Sequence, residues 1–215
     1  MWNILNRSYK VYGLYLAVIC LALTGVRVLL GNDINILFTL LSGVFLFMYA
    51  FSAVLVSEQY EEKHQGYSIL SALPVRNIDV IGAKYLLPVV SVIGLTGFTI
   101  ALFSSFSTSP SDWVLVRSYF LFMAGASLLM VGVMYIGVFS IGYTKFLIVV
   151  ISLTTALGFV PLLVLKNNRD QMETLIENLL SWMRNLNWIV IVPLIFLVYL
   201  CLMFLSIRVK TLREI

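Results

Sequence analysis

Histidine is nearly missing from this chain: His64 is the only one in 215 residues, which excludes a zinc site of the HExxH kind and any catalytic pair that uses two histidines. Cysteine is scarce as well. Cys20 and Cys201 each fall inside an apolar run, where a thiol usually acts as a small apolar filler. Charged residues make up only 11% of the chain, and no acidic residue interrupts any of its long apolar runs. A path for a small, strongly hydrated ion or a sugar is hard to build from such segments. No GxxxxGK[ST] loop occurs, and Gly142-Tyr143-Thr144-Lys145 is too short to imitate one, so the chain cannot hydrolyse ATP by itself. Glu61 and Glu62 are adjacent, but they lie outside the apolar runs and no later span carries a histidine, which leaves an intramembrane hydrolase without support.

What is present is hydrocarbon. Hydrophobic residues reach 61% and the mean hydropathy is +1.01, values far from those of soluble domains. Apolar segments at about 11–30, 36–57, 85–106, 113–136, 146–165 and 187–206 are each long enough to cross ~30 Å of bilayer as a helix. The expected fold is therefore all-α, a polytopic membrane protein with six spans, forming one transmembrane domain over 1–215 with no room for a soluble enzyme domain. The first run follows Arg7 and Lys10 but lacks a clear cleavage site, and reads as a retained span rather than a signal peptide. Apolar character continues beyond the fourth run through Ile141, which predicts one long helix, tilted or broken near Gly137.

Basic residues set the expected orientation, because short loops rich in Lys and Arg stay on the cytoplasmic side. With the N-terminus inside, Arg7, Lys10, Lys63, Arg76, Lys84, Lys145, Arg208, Lys210 and Arg213 are all cytoplasmic, against Lys166, Arg169 and Arg184 outside. Both termini are then cytoplasmic. The net charge of +4 thus reflects topology and the lipid bilayer as partner, not nucleic acid. Arg27 and Arg117 fall inside spans, within about two turns of an outer end. Two readings are open for them: snorkelling to the headgroups, or facing a cavity to hold an anion or a carboxylate such as Asp112 or Asp33.

The longest polar break, Glu58 to Lys84, spends 27 residues where a few would join two spans. Glu58, Glu61 and Glu62 carry the second span's helix past the membrane, and Gly66 supplies a stop. Tyr67 to Leu73 predicts a helix of about two turns, ended by Pro74. Asn77 can cap the next helix with Asp79 in its first turn, and Lys84 and Tyr85 mark where that helix enters lipid.

This pattern of glutamates, a glycine, a short helix, Leu73-Pro74-Val75, Asp79 and Ala83-Lys84-Tyr85 resembles the membrane subunits of type-2 ABC transporters, and among them the small bacterial permeases that include exporters of phenol-soluble modulins. One departure is Arg76 followed by Asn77, where those relatives usually carry a small hydroxyl residue. The resemblance implies that Gly66 to Leu73 is a coupling helix seated in a cytoplasmic ABC ATPase, with Tyr67, Ile69, Leu70 and Leu73 as anchors. Glu58, Glu61, Glu62, Arg76, Asp79 and Lys84 would complete that interface, the glutamates and Arg76 as polar rim contacts. It also implies that ATP and Mg bind the partner ATPase and no cofactor binds this chain, that two copies or two homologous permeases pair, and that the site is a bacterial plasma membrane. An amphipathic helix lying flat on the membrane is the plainer account of 66–73.

Two further segments are amphipathic. Residues 167–186 repeat Met172, Leu175, Ile176, Leu179, Met183 and Leu186 at three- and four-residue steps, predicting an external helix that rests on the outer leaflet through Trp182 or, as in related permeases, lids the exit. Trp2, Ile4, Leu5, Tyr9 and Tyr12 predict a short interfacial helix at the N-terminus. The leading expectation is the permease of an ATP-driven exporter of amphipathic or antimicrobial peptides or lipid-like molecules. The other is a membrane-embedded immunity or sensor protein that binds peptides without moving them.

Overall fold

The computed structural model describes residues 36–63, 77–104, 110–152, 181–183 and 185–213, with Cys20, Thr24 and Asn178 as single positions. Nearly all of these are helical. Four long helices stand out: α1 (Ile36–Lys63), α2 (Asn77–Ser104), α3 (Pro110–Ile141) and α4 (Trp188–Arg213). Among the described residues they contain the segments long and apolar enough to cross a membrane, Ser42–Lys63, Ile78–Phe103, Trp113–Ile141 and Trp188–Thr211. These match the second, third, fourth and sixth expected spans. The first span, Arg27, the coupling helix at 66–73 with Pro74 and Arg76, the N-terminal helix and most of 167–186 lie outside the described residues.

Local chemistry explains the helix ends. Pro110 opens α3 at a position where its missing N–H would have no intrahelical partner. Asn187 caps α4: its Oδ1 accepts from Ile189 N at 3.3 Å and its carbonyl from Ile191 N at 3.1 Å. At the end of α3, Gly142 takes φ 85°, a left-handed conformation that glycine reaches without a Cβ clash. Its N–H still bonds Val138 O at 2.9 Å, while its carbonyl accepts from Phe146 N at 3.0 Å to start a second helix, Tyr143–Ser152. The break expected near Gly137 therefore falls five residues later. Gly137 stays helical, and a Cβ there would overlap the Phe146 ring that folds back over it. Its small size serves that close approach, since a glycine within a helix weakens it without breaking it.

Side-chain contacts give the helices their directions. Gly125 and Gly132 of α3 face Ile195 and Leu202 of α4, where added Cβ atoms would lie 2.5 and 2.6 Å from the isoleucine and leucine methyls respectively, so α3 and α4 run parallel. Phe103 meets Phe120 at 5.3 Å and Tyr85 meets Tyr135 at 5.1 Å, which makes α2 antiparallel to α3. Glu58 meets Lys84, and α1 is antiparallel to α2. The central pair is α2 and α3, with α1 and α4 each packed on both and not on one another. The core joins Leu46, Tyr49, Ala50, Ala53 and Val54 of α1 to Ile81, Tyr85 and Val92 of α2, and to Val131, Met134 and Tyr135 of α3. Three- and four-residue steps along α1 put its contributors on one stripe. A second cluster at the far end holds Phe103, Val116, Tyr119, Phe120 and Met183.

Apolar side chains also cover the outside. Ile189, Val190, Leu194 and Leu197 of α4 are all exposed, the expected state for a surface that meets lipid tails instead of water.

Candidate functional site

Glutamates three residues apart on a helix share a face, so Glu58 and Glu61 point the same way from the last turns of α1. Lys84 lies about two turns into α2 and comes to them from the neighbouring helix. Its Nζ is 2.5 Å from Glu58 Oε1 and 2.8 Å from Glu61 Oε2. The Glu58 contact is a hydrogen bond, whereas Glu61 Oε2 makes a close ion contact without hydrogen-bond alignment. All three side chains are buried, Glu58 at 0% exposure, Glu61 at 8% and Lys84 at 9%. Two carboxylates on one ammonium leave a net negative charge, and Lys210 of α4 acts on Glu61 as a second cation. Between the cations sits Phe139 of α3, its ring centroid 5.7 Å from Lys84 Nζ and 5.9 Å from Lys210 Nζ. Four helices thus meet in one charged layer.

Directly below lies a polar aromatic layer. Tyr85 follows Lys84 on α2, and its hydroxyl reaches Gly132 O of α3 at 3.0 Å, Leu202 O of α4 at 3.3 Å and Ser206 Oγ at 2.5 Å. One proton serves both carbonyls as a shared donor, and the Ser206 hydroxyl can donate to the tyrosine oxygen. Tyr199 of α4 returns the contact, donating to Tyr85 O at 2.8 Å. Rings of Tyr135 and Tyr199 stand 5.1 and 5.2 Å from Tyr85. Where lipid removes most of the hydrophobic drive between helices, bonds of this kind hold them together.

The structure turns several site residues in unexpected directions. Glu58 and Glu61 face Lys84 and not the surface, so their side chains are not rim contacts. Tyr85 is buried in the core, and Lys84 turns its ammonium to the two carboxylates. Glu62 and Asp79 are exposed, and Glu62 Oε1 accepts from Thr144 Oγ1 at 2.7 Å, tying α1 to the start of the helix Tyr143–Ser152. Arg117 is exposed on α3. Trp182 is exposed with its ring edge-on to Phe122 at 6.4 Å, while Met183 beside it is buried. Cys20 and Cys201 are free thiols. Sequence reading missed the clamp, although two acids at i and i+3 closing one span and a lysine opening the next were its signal.

Comparison with known families bears on the same arrangement. The model described as ABC-2 family transporter protein matches residues 4–210. The chain belongs to the ABC-2 transporter family. No curated protein and no solved structure matches it. In this ABC-2 membrane protein, a transporter's membrane component, the charged layer closes the two helices that flank residues 64–76.

Proposed function

We propose that the chain is the membrane subunit of an ATP-driven ABC exporter, with six spans, both termini cytoplasmic, and a partner ATPase gripping the helix at 66–73. The observation that carries this reading is the Glu58–Lys84–Glu61 clamp. It binds together the last turns of α1 and the first of α2, so a force on the segment between them moves both helices as one body. Tyr85 then passes the motion to α3 and α4 through Gly132 and Ser206. Glu62 and Asp79 are exposed on either side of the segment, which supports reading them as direct contacts to the ATPase. ATP and Mg belong to that partner.

Charge asymmetry supports the orientation: Lys63, Lys84, Lys145, Arg208, Lys210 and Arg213 gather at the clamp end, with Arg117 near the other. Parallel α3 and α4 support a fifth span, because the connection between them has to return once across the bundle. Two copies, or a copy and a homologous permease, would build the path, and the bacterial plasma membrane is the expected site. Away from the clamp end the apolar runs hold no acidic residue, which suits an amphipathic or antimicrobial peptide or a lipid-like cargo.

The test is co-purification from membranes followed by ATPase assays in nanodiscs. Amphipathic helical peptides should stimulate hydrolysis by the complex, and small polar solutes should not. Replacing residues 67–73 by glycine and serine should abolish stimulation while the permease stays folded. Full stimulation after that replacement would defeat the coupling proposal, and protection from a peptide in cells lacking any ABC ATPase would point to a sensor or immunity protein.

A further inference from the structure

Charge is uneven in the layer where the four helices meet. Lys84 can satisfy one carboxylate fully, and Glu58 holds that place: buried completely, it takes the ammonium's hydrogen bond at 2.5 Å. Glu61 is held less well. Its Oε2 lies 2.8 Å from Lys84 Nζ but off the hydrogen-bond direction, and this buried oxygen accepts no hydrogen bond from any described residue. A buried carboxylate is stable only when it is paired and its oxygens are bonded, so the second glutamate is the surplus charge of the layer.

Few charged groups face Glu61. Glu58 on its own helix repels it, Lys84 reaches it from α2, and Lys210 attracts it from α4. Phe139 of α3 stands between the two ammonium groups, its ring centroid 5.7 Å from one and 5.9 Å from the other. Glu62 takes no part, since it is exposed and bonded to Thr144. Lys210 is thus the alternative cation for Glu61. Both partners are adjustable: the glutamate torsions have staggered wells, and the lysine ammonium rides on a flexible four-carbon stem.

Packing gives such an exchange a mechanical meaning. In the arrangement shown, α1 and α4 each pack on the central pair and not on one another. While Glu61 stays on Lys84, both acids of α1 serve α2 alone. Once Glu61 turns to Lys210, Glu58 still holds α2 and a new ion pair ties α1 to α4, so the same charges bind three helices in place of two.

The geometry points to an ionic latch: Glu61 is its moving part, exchanging Lys84 for Lys210 while Glu58 keeps Lys84, so that α4 is engaged with α1 in one state and released in the other. Glu58 is the competitor that frees Glu61 to move. The latch does not depend on the export reading, and its test needs neither ATPase nor cargo.

The full chain in nanodiscs is treated with dicyclohexylcarbodiimide, a lipid-soluble reagent that joins a carboxyl to a neighbouring amine with no added atoms, and the isopeptide products are mapped by mass spectrometry. Glu58 should be captured by Lys84 alone. Glu61 should be captured by both lysines, its Lys210 product reporting a minor state on the order of 1–10% of the molecules. Glu58→Gln keeps the shape of the side chain and an acceptor for Lys84 but leaves that ammonium to Glu61, so the Lys210 product should fall about tenfold, a coupling usual for charges in one network. An unchanged melting midpoint shows that this variant stays folded, and the two-partner capture in the parent needs no variant at all. Glu62→Gln, altering the exposed neighbour, should leave every product as it was. Capture of Glu61 by Lys84 alone, a Lys210 product that is indifferent to Glu58→Gln, or Lys210 captured by Glu58 would each overturn the latch. So would the absence of any Glu58–Lys84 product, because the latch requires that pair to be in contact.

Discussion

Lys84 shows how one side chain can hold an architecture that its own helix does not specify. Removing it leaves Glu58 and Glu61 buried against one another with Lys210 as the remaining cation, and truncating one partner of a buried ion pair typically costs 3–5 kcal/mol. Lys84→Met should therefore lower the unfolding midpoint in detergent sharply. Combining it with Glu58→Gln and Glu61→Gln should recover most of that loss, because neutral groups of similar shape no longer require the ammonium. If the triple variant is as unstable as Lys84→Met alone, the cost lies in packing and not in charge. Tyr85→Phe removes the hydroxyl that joins α2 to α3 and α4, with an expected cost of about 1–3 kcal/mol. In a double-mutant cycle with Ser206→Ala, the two losses should be less than additive. The residue types at 58, 61, 84 and 85 were legible in the chain, but their directions were not. A charge near a span end reads as snorkelling until a partner helix is known to stand beside it.

Helices α3 and α4 illustrate the next level. Gly125 and Gly132 are visible as small residues, and so are Gly94 and Gly97, yet only the first two press on a neighbouring helix. Their seven-residue spacing repeats in Ile195 and Leu202, which lets two parallel helices stay close over two turns. Gly132→Leu should split α3 from α4 and break the Tyr85 bond, read as loss of a monodisperse folded species on size exclusion, whereas Gly94→Ala should be neutral or slightly stabilising. A different cost attaches to Gly142, whose φ of 85° disfavours any side chain. Gly142→Ala should destabilise by about 1–2 kcal/mol, measured by thermal unfolding. The long fourth apolar run predicted α3 well, since the 29 residues Trp113–Ile141 hold a single charge and admit little else. Its break was displaced because the decisive factor is the backbone conformation at Gly142, and glycines at 137 and 142 look alike in a sequence.

At the level of the whole molecule, the central α2–α3 pair separates α1 from α4, so anything that moves α1 and α2 together reaches α4 through the central helices. Orientation is testable on the intact protein with Cys20 and Cys201 replaced by alanine. A membrane-impermeant maleimide added to whole cells should label Trp182→Cys, which is exposed at the far end, and should leave Glu62→Cys, exposed at the clamp end, unlabelled until the cells are broken. The reverse pattern would invert the topology.

Composition and the length of the apolar runs were enough to settle a helical membrane protein and to place four helices long and apolar enough to span, because in hydrocarbon every backbone amide has to bond within its own segment and twenty apolar residues leave the helix as the one solution. Which faces meet, which helices run parallel, and where Lys84 and Tyr85 spend their polar groups were decided by packing alone. Those choices depend on depth and rotation of one helix against another, and a chain with little charge and apolar residues on nearly every face carries few marks of either.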